Sequence, residues 1–297
     1  MKALISVDME GISGIVHPSE TNPERYDYQR GRELMTADAN AVIAGVLDAE
    51  PTADVLVADA HGTFRNLLPE QLDRRARLVR GKPRTLNMLA GLDEETDAVL
   101  LVGYHVRAGE GPGVLAHTMN GEILDVRMAG RSLGEEVRGT GRAPGEDVRG
   151  TGRSLGEIGL NAAMAGHLGV PVVLLSGDDA ACAEAADLIP EAVTVPVKEA
   201  LGAAAAVTLH PEEARDRLRR AAADAVTRRT EIPPLALTGP LDVEVDLAGA
   251  HTVDLATLVP GVSRAAGART VAFTAPDYAT AYRLILLLAQ LATIKPA

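Results

Sequence analysis

Tryptophan is absent, cysteine occurs once, and aromatic residues make up only 2% of the 297-residue chain. So few rings exclude a stacking platform for bases, and the interior must be packed with Ala, Val, Leu and Ile. The lone Cys182 excludes an intrachain disulfide and suits a reducing compartment. In its Ala-rich surroundings it reads as a small buried hydrophobe. Positive charge is also scarce, with 29 basic against 41 acidic residues and a net charge of -12. That balance argues against a nucleic-acid groove or an anionic membrane surface as partner. No apolar run approaches the roughly 20 residues of a membrane span, and MKALISVDME meets acidic residues too early for a signal peptide. The expectation is a cytoplasmic protein that binds small molecules, with no nucleic-acid or membrane partner.

Apolar runs of strand length alternate with longer helical patterns, the signature of an α/β fold with a mostly parallel sheet flanked by helices. ALISV at 3–7, DVLVA at 54–58, AVLLVG at 98–103 and VPVVLLS at 170–176 read as strands buried on both faces. A helix is predicted from about 27 to 49, where Leu34, Ala37, Ala41, Val42, Gly45 and Val46 recur at helical spacing. The last hundred residues change character. An Ala-rich helix around 211–227 and a break at Pro233 and Pro234 precede the strictly alternating LDVEVDL at 241–247, TVAFTA at 270–275 and a final helix over 277–293. The expected organisation is a catalytic α/β domain over 1–200 and a smaller C-terminal α+β domain over 201–297. Within the first lies an internal repeat of period eleven, GRSLGEEVRGT at 130–140, GRAPGEDVRGT at 141–151 and GRSLGE at 152–157. With eight glycines from Gly130 to Gly156 and no apolar face, it reads as a surface loop over about 131–152.

Ligands of open α/β sheets bind beyond the carboxyl ends of the strands. Four predicted strands end in acids or imidazoles: Asp8 and Glu10, Asp59 and His61, Tyr104 and His105, Asp178 and Asp179. One or two such residues are unremarkable, but four successive loaded strand ends point to a shared metal site. Asp8 and Glu10 lie two apart, so in an extended segment both project to the same side. With His61, His105 and a further acid they make five mixed donors suited to zinc or a similar cation. That exceeds what one catalytic ion keeps and suits two ions roughly 3.5–4 Å apart. Asp178 and Asp179 precede a helix and read as caps. His17, His167, His210 and His251 lack such company.

The segments SVDMEGISG at 6–14, ADAHG at 58–62, GYHVRAG at 103–109, AHTMNG at 116–121 and GEIGLNAAMAGHLGVPVVLLSGDD at 156–179 together resemble the D-aminopeptidase family of the dipeptide-transport operon, metallopeptidase family M55. The resemblance implies an aminopeptidase with two Zn2+ per subunit that removes N-terminal D-amino acids, D-alanine especially, from short peptides. It also implies a homodecamer of two pentameric rings. Its metal ligands carry over to Asp8 as the bridge, with Glu10, His61, His105 and Glu157, and its catalytic histidine to His117. The repeat is a departure from the family, and it sets Glu135 and Glu146 in contexts like that of Glu157. Only Glu157 runs directly into the helix IGLNAAMAG, so the ligand is assigned there. The rival readings are another metallohydrolase, such as an L-aminopeptidase or amidase, and a non-catalytic peptide-binding ring scaffold.

Overall fold

The apolar runs become the centre of a doubly wound sheet. A computed structural model describes residues 1–129, 152–265 and 267–294. The expected repeat loop, with Glu135 and Glu146, lies outside these residues except for Gly152. The strands are β1 (Lys2–Val7), β2 (Asp54–Asp59), β3 (Arg77–Val79), β4 (Ala98–Tyr104), β5 (Ile123–Ala129), β6 (Arg153–Ser154), β7 (Val172–Asp178), β8 (Val193–Gly202), β9 (Ala205–Thr208), β10 (Leu241–Leu247), β11 (Ser263–Arg264) and β12 (Thr270–Ala275). The helices are α1 (Pro18–Thr21), α2 (Tyr28–Ala49), α3 (Glu157–His167), α4 (Asp179–Leu188), α5 (Pro211–Thr227), α6 (Ala250–Ala256) and α7 (Tyr278–Leu291).

Seven strands form the larger sheet in the order β3-β2-β1-β4-β7-β8-β9, parallel except for β9. Alternation along β1 divides its side chains between two cores. Ala3, Ile5 and Val7 pack with α2 and α5 on one face, while Leu4 joins the core that includes α3 and α7 on the other. From β1 the chain winds outward through β2 and β3, then returns to β4 and winds the other way. The β1/β4 junction is therefore the topological switch point, where the connecting loops diverge and leave a crevice.

The second sheet has the order β11-β12-β10-β5-β6 and is antiparallel. β10 alternates buried and more exposed positions as its sequence predicts. This smaller α+β unit is not confined to the C-terminal third. Its strands β5 and β6 precede residue 200, and the expected boundary falls inside β8. α5, assigned to the C-terminal domain by sequence, packs on α2 and the larger sheet. The chain crosses between the two layers repeatedly because β5 finds its partner in β10, where Arg127 ion-pairs with Glu244 at 3.2 Å and Asp246 at 2.6 Å.

Candidate metal centre

At the switch point the loop after β1 lies directly on the end of β4. The Asp8 amide donates to Val102 O and the Gly11 amide to Gly103 O, both at 2.8 Å. A Cβ at Gly11 would sit 2.0 Å from Tyr104 O, and Gly103 has φ +70 with no room for a side chain beside Asp8 O. Two glycines thus allow the backbone contact that brings Asp8 and Glu10 beside His105. Below the loop, the buried ammonium of Lys198 on β8 donates to the carbonyls of Glu10 at 2.6 Å, Ile12 at 3.1 Å and Ile15.

Glu157 is the first residue of α3, where the exposed amides of a helix start favour a carboxylate. It also accepts from the Met119 amide at 2.6 Å. That amide belongs to the 113–121 loop, which is pinned by Val114 N donating to Asp178 Oδ2 at 2.7 Å and Leu115 N donating to Ala203 O at 2.8 Å. Leu115 and Met119 on either side of His117 hold φ 54 and 60, conformations that non-glycine residues rarely adopt and that cluster at functional sites.

All six residues singled out by sequence converge. His61 Nδ1 lies 3.1 Å from Glu10 Oε2 and 3.4 Å from Asp8 Oδ1. His105 Nε2 lies 3.5 Å from Asp8 Oδ2 and 3.5 Å from Glu157 Oε1. His117 Nε2 lies 3.8 Å from the same Glu157 oxygen, and its ring stacks on His105 with centroids 4.1 Å apart. His61 and His105 thus approach different oxygens of Asp8. The ligand atoms of His105, His117 and Glu157, and likewise those of Asp8, Glu10 and His105, fall within 4.8 Å of one another. Asp8, Glu10, His105 and Glu157 are buried, whereas the His117 side chain keeps 29% of its surface exposed.

Each histidine faces a backbone carbonyl with its other nitrogen: His61 Nε2 meets Thr21 O at 3.0 Å, His105 Nδ1 meets Val106 O at 3.1 Å, and His117 Nδ1 meets Leu115 O at 2.8 Å. A carbonyl only accepts, so those nitrogens carry the hydrogens, and a ring in its neutral form would turn a lone pair toward the carboxylates. Lone pairs facing carboxylates require positive charge between them. Protons would supply it by moving the pKa values far from normal. Burial pushes Asp8 up to about 7, with the neighbouring Glu10 charge adding to the effect. Against its burial, His105 is raised to about 10 by Glu157, and His61 is raised well above the usual range by Glu10. Also against burial, His61 holds Glu10 well below the usual carboxylate range, and His105 lowers Glu157.

A metal cation resolves the same imbalance with ordinary protonation states. Asp8 Oδ2 and His105 Nε2 are buried without a hydrogen-bond partner. Donors about 2.0–2.2 Å from one tetrahedral zinc sit about 3.3–3.6 Å apart, and the His61 and His105 separations of 3.1–3.5 Å lie at or near that edge length. The donor set therefore fits a metal, and the outward carbonyl contacts are of the kind that orient ligating imidazoles.

The remaining acids are structural. Asp59 accepts from the Asn66 and Leu67 amides, and Asp178 caps α4 through the Ala181 amide. His17 and His210 cap α1 and α5. Cys182 is buried in α4, as its surroundings predict. Tyr104, at a loaded strand end, points away from the cluster and bonds Ser6 and Asn161 at 2.7 and 3.2 Å. Sequence reading did not anticipate Lys198, whose signal was a cation within the largely apolar VTVPVKEALG, nor the α7 residues Leu286, Ala289 and Gln290 that wall the site cavity.

A doubly wound α/β chain whose switch-point crevice gathers buried carboxylates and oriented imidazoles has the makeup of a metal-dependent hydrolase. The chain belongs to the D-aminopeptidase family, peptidase family M55, whose family model matches residues 1–138 and 144–287. A curated D-aminopeptidase of Bacillus subtilis (strain 168) is 35% identical over 292 residues, covering 98% of each chain. A solved structure described as the Zn-dependent D-aminopeptidase DppA from Bacillus subtilis, a self-compartmentalizing protease, aligns over 100% of both chains with TM-score 0.89 and 33% identity.

Proposed function

We propose that this chain is a dinuclear zinc aminopeptidase that hydrolyses short peptides with an N-terminal D-amino acid of D-alanine type. The observation that carries the reading is the pairing of two donor sets across one carboxylate. His61 with Glu10 approaches Asp8 Oδ1, and His105 with Glu157 approaches Asp8 Oδ2. Asp8 would bridge two ions, with Glu10 and His61 completing one set and His105 and Glu157 the other. When bound, the ions supply Lewis-acid polarisation of the scissile carbonyl and a lowered pKa for water.

The protein's own contribution is proton traffic and exclusion of bulk. His117 holds its Nδ1 hydrogen on Leu115 O, leaving Nε2 as the exchange atom at the open side of the cluster. It takes a proton from the attacking water and returns it to the departing amine. The stacked His105 ring and the strained turns on either side keep its plane fixed. The cavity over the cluster holds about 120 Å3, well below the roughly 300–1,000 Å3 of clefts for drug-sized ligands, which favours a small N-terminal residue.

The solved relative is described as self-compartmentalizing, and the same kind of assembly, a homodecamer of two pentameric rings, is proposed here. No described helix is long and apolar enough to cross a membrane, and a cytoplasmic setting is proposed from the lone buried cysteine. The deciding experiment measures metal content and then compares D-Ala-D-Ala with L-Ala-L-Ala before and after chelation. Two zinc ions per chain and chelator-sensitive release of D-alanine are expected. Full turnover by metal-free protein, or preference for the L-dipeptide, refutes the reading.

A further inference from the structure

The charged residues that line the cavity over the cluster are of two kinds. Of its charged wall residues, Asp8, His61, His117 and Glu157 belong to the cluster, and Lys82 alone does not. One part of the wall is thus the metal-binding cluster, and Lys82 is the one charged residue outside it. Lys82 is exposed, and its ammonium sits 5.5 Å from the centre of the Phe64 ring. Phe64 is itself buried and has the Arg84 guanidinium 4.0 Å from its centre. Arg84 is committed to backbone, donating to the carbonyls of Asn87, Val79 and Asp59. Among the described residues Lys82 has no such commitment and no acidic partner, although acids outnumber bases in the chain by 41 to 29. The rest of the wall is apolar or uncharged, including Met88, Met119, Leu286, Asn120 and Gln290.

A free dipeptide is a zwitterion with an ammonium at one end and a carboxylate at the other. The carboxylates of the cluster are committed to the metal, so the one uncommitted cation of the wall is the group left to meet the carboxylate end. We propose that Lys82 is a specificity-determining residue that anchors the free α-carboxylate of the substrate, making this chain selective for short peptides with an unblocked C-terminus. The inference rests on the peptidase reading and adds a recognition element at the end remote from the chemistry. The Phe64 face beneath the lysine limits the positions its head samples, so less order is lost when the carboxylate arrives.

The test uses zinc-loaded protein and two substrates, D-Ala-D-Ala and its C-terminal amide. Wild type should favour the acid over the amide by about tenfold in kcat/KM, the scale of one charge-assisted hydrogen bond at a wet rim. Lys82→Met should erase that preference by raising KM for the acid toward that for the amide. Lys82→Arg should retain the preference, and Lys82→Glu should reverse it. An acid-to-amide ratio unchanged by Lys82→Met overturns the anchor and leaves the peptidase reading standing. Failure of wild type to release D-alanine from either substrate overturns both.

Discussion

Replacing Lys198 with Met removes a cation that touches no substrate, yet its consequence should reach the metal. The residue is 3% exposed, and its ammonium donates to the carbonyls of Glu10, Ile12 and Ile15. Ile12 O also accepts from the Ile15 amide at 3.2 Å, so the substitution leaves two carbonyls, those of Glu10 and Ile15, without a partner among the described residues. Each orphaned carbonyl costs about 1–3 kcal/mol, and the relief of no longer burying a charge offsets part of the sum. A net loss of about 2 kcal/mol corresponds to a fall in melting temperature of about 3 °C for 297 residues at about 2.1 cal/mol/K per residue. Freed from its tether, the loop no longer fixes Glu10, and loss of a residue supporting a metal ligand typically costs about 10–100-fold in affinity. Competitive chelator titration measures the zinc constant, and calorimetry of the metal-free protein measures the melt. A variant that melts lower but binds zinc within about twofold of wild type would refute the positioning role. One that changes neither would refute the hydrogen-bond accounting.

The cluster residues should separate by role. His105→Ala is expected to lose bound zinc, whereas His117→Ala should keep zinc yet lose about 10²–10⁴ in kcat, read by elemental analysis beside turnover; equal loss of zinc in both variants would make His117 a ligand instead. Away from the site, burial raises Asp38 to about 6 despite its bonds from Ser13 and the nearby Arg215. The folded state therefore holds a proton that the unfolded chain has released between pH 3.8 and about 6, so this group's contribution to stability falls as pH rises through that window. At 1.36 kcal/mol per pH unit the penalty reaches about 3 kcal/mol. Asp38→Asn should escape it and gain on wild type by up to that amount between pH 4 and 7 in urea unfolding; a difference independent of pH contradicts the assignment.

Four strands of the larger sheet were legible because a parallel strand covered on both faces reads as a nearly continuous apolar run, and β4 and β7 are buried at every position. β8 escaped detection because Pro196, Lys198 and Glu199 interrupt its apolar pattern, and the reason for Lys198, three carbonyls supplied by a loop more than 180 residues earlier, is tertiary. The partnership of β5 with β10 was equally hidden. Alternation tells which face of a strand is buried but not which strand lies beside it, so the second sheet was read as a C-terminal domain. At the site, Asp8, Glu10, His61 and His105 followed from strand-end logic. Glu157 and His117 needed the family resemblance, since one stands at a helix start and the other in a loop whose shape depends on Asp178, Ala203 and two positive-φ residues.

The interleaving of the two sheets bears on catalysis through α3. This helix begins with Glu157 and runs into a core shared with β4 and with the second sheet. Its Asn161 is buried, donating to the Tyr104 hydroxyl at 3.2 Å and accepting from the Tyr282 hydroxyl at 2.8 Å. Tyr104 bonds Ser6 on β1, and Tyr278 donates to Leu160 O at 2.7 Å. One connected set of hydrogen bonds thus links the strands that end at Asp8 and His105 to the helix that starts at Glu157, and clamps that helix from α7. Buried networks of this kind fix geometry when every member is satisfied. α7 also lends Leu286, Ala289 and Gln290 to the cavity wall. The C-terminal residues therefore serve the centre directly: without α7, Asn161 loses an anchor, Glu157 loses its fixed bearing on His105, and the cavity loses a side.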